Sequence, residues 1–341
     1  MGKLRSFGAA ALLAAASLLS TAGAQAEETH LKFVTLAPPN WVMTKLFIAP
    51  WVERINEAGK GVIHVDRFDG YSIANNLNVY DRVQSDVVQI AWGIPAYAAG
   101  QFPLLGVGDL PFVVQHSEDT AVALWRMYAR GDFGHEFDQV HPLMLIALPQ
   151  AGLQMARAEV HTLADLKGKK IQASNRVTTA TAEALGATPI SLNVGEMYEA
   201  LQRRTVDGVF MPWTAFDPFK LDEVTHFHLD APLGGGVAMI FMSKKKWDAL
   251  PAAAKKAIDE NSGEAATRAF GKLWDSQQHD ALEKLRGEKG HTIVTLPADE
   301  YARWKAKIEP VVANWEKSTP GADKVLQALR DEVAKVDAEG K

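Results

Sequence analysis

The chain contains no cysteine among its 341 residues. This absence excludes disulfide cross-links, thiolate nucleophiles, thiolate metal sites and a lipid anchor on an N-terminal cysteine. The sequence also lacks an apolar run of the roughly 20 residues that a membrane-spanning helix needs. We therefore expect a soluble protein whose fold is stabilised by a large hydrophobic core.

Concentrated positive charge is missing as well. The formal net charge is -5, and the basic cluster Lys244–Lys246 is typical of a solvated helix start. Nucleic acids and anionic membranes attract concentrated lysine and arginine. We therefore expect neither of them as a partner.

The first 26 residues are typical of an export signal. Lys3 and Arg5 give a positive start, an apolar run covers Ala9–Leu19, and Ala24–Ala26 matches a small-x-small cleavage site. We predict a signal peptide over residues 1–26 and an exported mature chain in a bacterial periplasm. Its formal charge becomes -7 when the two positive residues of the signal are removed.

Strand and helix patterns alternate along the mature sequence. One unit extends from a strand at Leu31–Thr35 to an apolar strand at Val87–Gly93, and a second unit of similar layout covers Lys169–Phe210. Long helices follow Pro251, the first predicted over Ala252–Arg286, which at about 1.5 Å per residue is longer than one domain. We predict two α/β lobes with a ligand site at the carboxyl ends of their strands.

The predicted boundaries give each lobe two chain segments. Lobe I comprises residues 27–149 and 238–277, and lobe II comprises residues 150–237 and 278–341, with the C-terminal helices. Extended stretches at Met144–Leu148 and Val237–Met242 lie between the units and are predicted to be crossing strands.

Sequence motifs for catalysis are not found. The patterns G-x-S-x-G, H-E-x-x-H and G-x-x-x-x-G-K-[ST] do not occur. His226 and His228 alternate on a predicted strand, but no third ligand stands near them, which favours an exposed strand face over a metal site. Gly234–Gly236 precede no helix, which favours a hinge over a phosphate cradle. We predict no catalytic residue, no metal and no cofactor.

Aromatic residues instead recur at predicted strand ends. Trp41 follows the first strand, Tyr71 follows the second, and Trp92 ends the third, while Trp213 and Phe216 follow a strand of the second unit. Each of them alone fits a core position. Five aromatic residues at equivalent ends predict a ligand site with flat, apolar walls.

Several longer segments carry a family resemblance. They are VERINEAGKGVIHVDRF, VQSDVVQIAWGIPAYAAG, GDLPFVV, DLKGKKI and ALGATPISLNVGEMYEALQRRTVDGV. With them, the chain resembles the substrate-binding proteins of tripartite ATP-independent periplasmic (TRAP) transporters, the DctP-like group, from Leu31 to beyond Lys245.

The resemblance implies a periplasmic binding protein fold of type II-like architecture. In that fold two α/β lobes, joined by hinge strands and a long bracing helix, close on one small ligand. The resemblance also implies delivery of the ligand to TRAP membrane permease subunits. We expect a monomer that captures a small organic acid and is not an enzyme.

The resemblance further implies an arginine that binds the ligand carboxylate, and this chain departs from that pattern. Gln172 stands where the family's signature strand continues KI-R, while Gln154 and Met211 stand at two further polar positions of the family. Either Arg176 holds the carboxylate at the next helix start, or the ligand is neutral and bonds to Gln172, Gln154 and Asn175. We favour Arg176, because a buried arginine facing nothing would be costly, and we expect an apolar, aromatic ligand body.

The predicted ligand contacts combine cleft aromatics with polar residues at strand ends. They are Trp41, Asn75, Trp92, Gln154, Gln172, Asn175, Arg176, Met211, Trp213 and Phe216. Glu196 and Asp207 also match family positions, and we assign both to structural roles. The alternatives are a binder of a neutral polar solute, a ligand-sensing subunit for a receptor, and a periplasmic enzyme, which would need a clustered acid and base.

Overall fold

A computed structural model describes residues 28–98, 100–113, 116–173 and 175–339. The predicted signal peptide lies outside the described residues. Within them, the chain forms eleven strands: β1 (Thr29–Val34), β2 (Ile63–Phe68), β3 (Ile90–Gly93), β4 (Val140–Leu148), β5 (Gly152–Met155), β6 (Lys170–Ala173), β7 (Thr188–Ser191), β8 (Gly208–Met211), β9 (Phe227–Leu229), β10 (Gly236–Ser243) and β11 (Thr292–Val294).

Helices connect and cover these strands. They are α1 (Ala49–Ala58), α2 (Val79–Gln84), α3 (Ser117–Arg130), α4 (Arg176–Ala184), α5 (Met197–Gln202), α6 (Phe216–Phe219), α7 (Lys244–Ala249), α8 (Ala252–Asp259), α9 (Gly263–Gly287), α10 (Ala298–Ser318) and α11 (Ala322–Glu339). A π-helical turn at Thr44–Ile48 leads directly into α1. The 3-10 turns lie at Pro95–Tyr97, Leu105–Asp109, Leu163–Leu166, Val194–Glu196, Trp213–Ala215 and Leu221–Glu223.

The strands form two mixed sheets. Sheet A has the order β2-β1-β3-β10-β4, and sheet B has the order β11-β9-β5-β8-β6-β7. The strands β1, β2 and β3 are parallel, whereas β10 pairs antiparallel with β3 and β4. In sheet B, β6 is parallel to β7 and β8, and β5 is antiparallel to β8 and β9. The predicted α/β class with two lobes is confirmed.

The two predicted crossing stretches are strands of sheet A that connect to sheet B. β4 continues through residues 149–151 into β5, and β9 continues through residues 230–235 into β10. Adjacent strand connections of this kind are typical of hinges between two lobes.

Sheet A is covered on both faces, in agreement with the alternating order of strands and helices along the sequence. Leu31 and Phe33 pack with Trp51 of α1 in one core cluster, whereas Val34 packs with Leu124 of α3 in another. Side chains of a strand point to opposite faces in turn, so neighbours in sequence enter different cores. The lobe of sheet A therefore has three layers.

The predicted helix over Ala252–Arg286 is in fact two helices. α8 ends at Asp259, and α9 begins at Gly263, whose φ of 78° lies in the left-handed region. A residue with a side chain disfavours that backbone conformation, so the glycine fits a helix boundary better than a helix interior. At 25 residues, α9 still spans about 38 Å, with Trp274 in a core of sheet A and Leu285 in a core of sheet B. It is the bracing helix.

The C-terminal helix α11 lies elsewhere than predicted. The predicted boundaries put it in lobe II, but it packs against α3, in the lobe of sheet A. Its buried residues Val325, Leu326 and Leu329 belong to the same core cluster as Val34. The apolar stripe of α11 thus returns the chain to the first lobe, while α10 packs against α4 in the second.

Candidate ligand-binding cleft

A cavity of about 230 Å³ lies between the two lobes, at the carboxyl ends of parallel strands from both sheets. The lobe of sheet A contributes residues that follow β1 and β2, including Trp41 and Asn76, and residues at the end of β3, including Trp92. The lobe of sheet B contributes the residues that follow β6 and the end of β8. Parallel strands end at one edge of a sheet, which is the usual position of ligand sites in α/β folds.

Three tryptophans form one wall of the cavity. The rings of Trp41 and Trp92 meet edge to face with centroids 6.1 Å apart, and the ring of Trp274 lies 5.5 Å from Trp41 and 6.0 Å from Trp92. Such rings present flat apolar surface and hold one another in place through edge-to-face packing. The wall suits a planar, apolar ligand body.

The bracing helix α9 also ties this wall to the opposite lobe. The indole nitrogen of Trp274 donates to the hydroxyl of Thr214 at 3.0 Å, and the backbone N–H of Thr214 donates to the side-chain oxygen of Gln278 at 3.0 Å. Both contacts join α9 to the turn that follows β8. α9 thus positions residues of both lobes around the cavity.

Polar groups on the side of sheet B cluster at the start of α4. Asn175 is the N-cap residue, and its side-chain oxygen accepts the backbone N–H of Thr178 at 2.9 Å. Both residues line the cavity. A capped helix start exposes further backbone N–H groups and a favourable dipole to an anion.

Asp109 is the only acidic residue among the described residues that line the cavity, and none of these is a lysine or an arginine. The backbone N–H of Val237 donates to its carboxylate at 3.0 Å. Burial raises the pKa of Asp109 to about 7, and the bond from Val237 offsets part of this rise. A carboxyl group with such a pKa is partly neutral near pH 7.

Four of the predicted contacts lie in the cavity wall: Trp41, Trp92, Asn175 and Met211. The structure places the other six predicted contacts outside the described lining. They are Asn75, Gln154, Gln172, Arg176, Trp213 and Phe216.

The two glutamines are buried and bonded within the lobe of sheet B. The amide of Gln172 donates to the carbonyl oxygen of Leu192 at 2.9 Å, and the amide of Gln154 donates to the carbonyl oxygen of Met211 at 2.8 Å. Both side chains hold strand ends together. Both side chains are buried and lie outside the described lining of the cavity.

Three further predicted contacts have structural roles: Asn75 in a turn, and Trp213 and Phe216 in core packing. The side-chain oxygen of Asn75 accepts the backbone N–H groups of Leu77 and Asn78, which closes a turn. The rings of Trp213 and Phe216 stack with centroids 5.6 Å apart inside a core cluster of sheet B.

Arg176 is the first residue of α4 and directly follows Asn175 in the cavity wall. Its side chain is exposed. No acidic residue in the described part of the chain forms a salt bridge with it, in contrast to Arg203, which pairs with Glu199. The charge of Arg176 is therefore not neutralised by a described carboxylate.

The two histidines of the alternating pair differ: His226 is exposed, whereas His228 is buried in a hydrogen-bond chain, so the expected exposed strand face is wrong for His228. His228 lies 2.8 Å from the side-chain oxygen of Gln154 through Nδ1 and 3.0 Å from Nδ1 of His291 through Nε2. The amide nitrogen of Gln154 donates to Met211, so the side-chain oxygen of Gln154 is the atom that faces His228. Nδ1 of His228 therefore donates to this oxygen, and Nε2 of a neutral His228 accepts from Nδ1 of His291. Burial, together with the positive charges of His291 and His226, lowers the pKa of His228 to about 3, which keeps it neutral. The described residues hold no group of three His, Cys, Asp or Glu that could bind a metal ion.

Sequence reasoning missed several wall residues. Trp274 lies within the predicted long helix over Ala252–Arg286 and was not among the predicted contacts, and Asn76 and Phe219 lie near the predicted Asn75 and Phe216. The length of α9 carries a signal for Trp274, because a helix that braces two lobes must pass the cleft between them. The choice among neighbouring loop residues depends on turn geometry, which the sequence pattern does not specify.

Comparison with known proteins places the fold and the site in context. Residues 33–318 match the model of the bacterial extracellular solute-binding proteins, family 7, also called DctP. The chain belongs to this family. The predicted resemblance is thereby confirmed. Among the described residues, no helix is long and apolar enough to cross a membrane.

Individual relatives of this family-7 protein agree with the fold. The chain is 30% identical over 285 residues to the outer membrane transporter protein TsaT of Comamonas testosteroni, covering 82% of this chain and 81% of TsaT. A marine metagenome TRAP solute-binding protein specific for aromatic acid ligands, in complex with 3-hydroxybenzoate, is 29% identical with a TM-score of 0.85, covering 91% of this chain and 99% of that protein. A TRAP solute-binding protein from Rhodoferax ferrireducens T118 in complex with copurified benzoate is 26% identical with a TM-score of 0.85, covering 92% and 100%.

Proposed function

We propose that this family-7 protein is the periplasmic solute-binding subunit of a TRAP transporter and that it captures a small aromatic acid. The observation that carries this proposal is the cavity between the lobes, walled by Trp41, Trp92 and Trp274. Its volume is about 230 Å³, whereas a cavity of roughly 150 Å³ accepts benzene. The space suits one benzene ring with a few substituent atoms.

Two similar solved proteins support an acidic ligand. One carries 3-hydroxybenzoate and the other carries benzoate, and both share the fold over more than nine-tenths of this chain. A carboxylate on the ring needs hydrogen-bond donors and a positive charge nearby. Asn175 lines the cavity at the start of α4, and the next residue, Arg176, is exposed beside it without a salt bridge to a described carboxylate. These two residues are the proposed donor and positive charge.

Capture by closure follows from the two-lobe architecture. Each lobe contributes part of the wall, so a ligand that contacts both walls stabilises the closed arrangement. The closed form is the state that the membrane permease recognises. Export through the signal peptide over residues 1–26 brings the protein to the periplasm, where this exchange occurs.

A neutral polar solute is the second candidate ligand. It is favoured by one observation, namely that the described lining contains no lysine or arginine. Asn76, Asn175 and Thr178 are neutral polar residues that a hydroxyl or amide group can bond.

A binding screen separates these candidates. We expect benzoate and 3-hydroxybenzoate to raise the unfolding temperature of the purified mature protein, because a ligand at 100 times its Kd stabilises a fold by about 2.7 kcal/mol. Succinate, an aliphatic diacid, and benzyl alcohol, a neutral aromatic, serve as comparisons. Thermal unfolding followed by calorimetric titration measures the effect.

The outcomes of this screen are distinct. Binding of the two aromatic acids without benzyl alcohol supports the proposed function. Equal binding of benzyl alcohol and benzoate favours the neutral solute, and binding of succinate alone contradicts the aromatic assignment. Recovery of the bound acid unchanged after long incubation would separate a binding protein from an enzyme.

A further inference from the structure

The indole nitrogen of Trp41 is a buried donor in the wall of the cavity. Trp41 is 9% exposed, and within the described residues its Nε1 atom has no hydrogen-bond partner. A buried N–H without a partner costs free energy, because water satisfied it before folding. Native structures contain few such groups, and each calls for a physical explanation.

Other buried tryptophans of this chain show the usual arrangement. The indole nitrogen of Trp51 donates to the carbonyl oxygen of Asn261 at 2.7 Å, and that of Trp274 donates to Thr214 at 3.0 Å. Trp304 is a second tryptophan whose buried indole nitrogen has no described partner. It lies in the core of sheet B, away from the cavity, so no ligand can reach it.

The neighbouring polar side chains already have partners. The hydroxyl of Thr35 bonds to Ala37 and Asp69, and the side-chain oxygen of Asn175 accepts from Thr178. The hydroxyl of Thr214 accepts from Trp274. These bonds hold the wall in shape, whereas the N–H of Trp41 has no such internal role.

We propose that Trp41 determines specificity by donating its indole N–H to an oxygen atom of the bound aromatic acid. The proposal rests on the proposed function. It adds a hydrogen-bond donor from the lobe of sheet A to the donors from the lobe of sheet B. Arg176 and Asn175 belong to the lobe of sheet B. A ligand oxygen that bonds to Trp41 therefore links recognition to closure of the lobes.

The expected effect is large enough to measure. A hydrogen bond to a charged acceptor contributes roughly a tenfold to hundredfold factor in affinity. Trp41→Phe removes the N–H and keeps an aromatic ring. Benzoate affinity should fall by about tenfold or more in this variant, as measured by calorimetric titration of the mature protein.

Two control variants separate the donor from the ring. Trp304→Phe makes the same change at the other unpartnered tryptophan, outside the cavity, and should leave benzoate affinity unchanged. Trp92→Phe makes the same change in the same wall, at a tryptophan whose indole nitrogen is not among the buried donors without a described partner. It estimates the cost of lost ring area. The proposal requires the loss in Trp41→Phe to exceed that in Trp92→Phe severalfold.

A second measurement follows the wild-type protein and uses a variant only to assign one resonance. In isotope-labelled wild-type protein, the indole N–H resonance of Trp41 should move downfield when benzoate saturates the site. Its assignment comes from its absence in Trp41→Phe or Trp41→Tyr. A resonance that keeps its position at saturation contradicts the proposal.

Titration with both acids identifies the accepting oxygen. An equal loss for benzoate and 3-hydroxybenzoate in Trp41→Phe assigns the carboxylate as the acceptor, and a larger loss for 3-hydroxybenzoate adds the ring hydroxyl as a second acceptor. An unchanged benzoate affinity overturns the proposal. If Trp41→Phe binds both acids as tightly as the wild type does, the Trp41 proposal is wrong, but the proposed function stands. If wild-type protein binds neither acid, the proposed function fails, and the Trp41 proposal fails with it.

Discussion

At the scale of single residues, Arg176 has the clearest consequence for ligand charge. It follows the cavity residue Asn175, its side chain is exposed, and no described carboxylate neutralises it. We expect Arg176→Ala to weaken benzoate binding by about tenfold or more, because a charge-assisted bond is lost. Titration calorimetry of the variant measures this change.

Arg203→Ala is the matched control, since Arg203 is also exposed but pairs with Glu199 on α5. Its benzoate affinity should equal that of the wild type. If Arg176→Ala also binds benzoate as tightly as wild type, the carboxylate is held by neutral donors, and the prediction of Arg176 as the anchor is wrong.

The glutamines show why residue roles are hard to read from sequence. The resemblance assigns a ligand-binding arginine to the position of Gln172, yet the amide of Gln172 donates to Leu192, twenty residues away. The partner of Gln154 is farther still, at Met211. A sequence gives residue types at family positions, but the bonds of these side chains depend on pairings across the sheet that only the fold supplies.

At the scale of elements, the docking of α11 on α3 should stabilise the lobe of sheet A. Leu329 is fully buried in that contact. Leu329→Ala should lower the free energy of unfolding by about 2 to 5 kcal/mol, because it removes buried methyl groups and leaves a cavity. Chemical denaturation followed by circular dichroism measures the loss.

Leu46→Ala provides the control for this prediction, as Leu46 is 52% exposed. It should change the free energy of unfolding by less than about 0.5 kcal/mol. If Leu329→Ala lowers the free energy of unfolding no more than Leu46→Ala does, the buried face of α11 does not stabilise the lobe of sheet A.

Most elements follow from local sequence patterns. Alternation predicts β1, because Leu31 and Phe33 share a buried face with exposed Lys32 between them, and a continuous apolar run predicts β3. The break between α8 and α9 was missed because apolar spacing continues across it, while the decisive feature is the positive φ of Gly263. The lobe to which α11 returns was also missed, since an amphipathic stripe does not specify its partner.

At the scale of the whole molecule, the position of the cavity was predictable and its composition was not. Strand ends with aromatic residues indicate a cleft, which correctly selects Trp41 and Trp92 as neighbours in space. Trp274 joins them only because α9 crosses both lobes. The relative position of two lobes and a helix is a property of the assembled chain, so no local pattern encodes it.

The stability of the whole molecule should depend on the buried hydrogen-bond chain through His228. Burial lowers the pKa of His228 in the folded state to about 3, below its ordinary value of 6.5. Between these two pH values the unfolded chain binds a proton at this residue that the folded chain does not bind. The contribution of His228 to the free energy of unfolding is therefore fully present above about pH 6.5 and is lost as the pH falls toward 3.

Asp109 and Glu136 act in the opposite direction, since burial raises the pKa of each carboxyl to about 7. The effect of His228 must therefore be isolated by a difference between variants. His228→Asn keeps a donor near the Nδ1 position and cannot titrate. Between pH 4 and 6, its free energy of unfolding should depend on pH less steeply than that of the wild type, by about 1.4 kcal/mol per pH unit.

Denaturant unfolding at a series of pH values measures both slopes, with His279→Asn, an exposed position on α9, as the control. Equal slopes in wild type and His228→Asn would mean that His228 takes up a proton in the folded protein. The chain of bonds to Gln154 and Met211 would then break at acidic pH, and the wall of the cavity would lose its support on the side of sheet B. A parallel loss of benzoate affinity at pH 5 would accompany that outcome, whereas the neutral His228 inferred from its burial predicts an intact wall at pH 5.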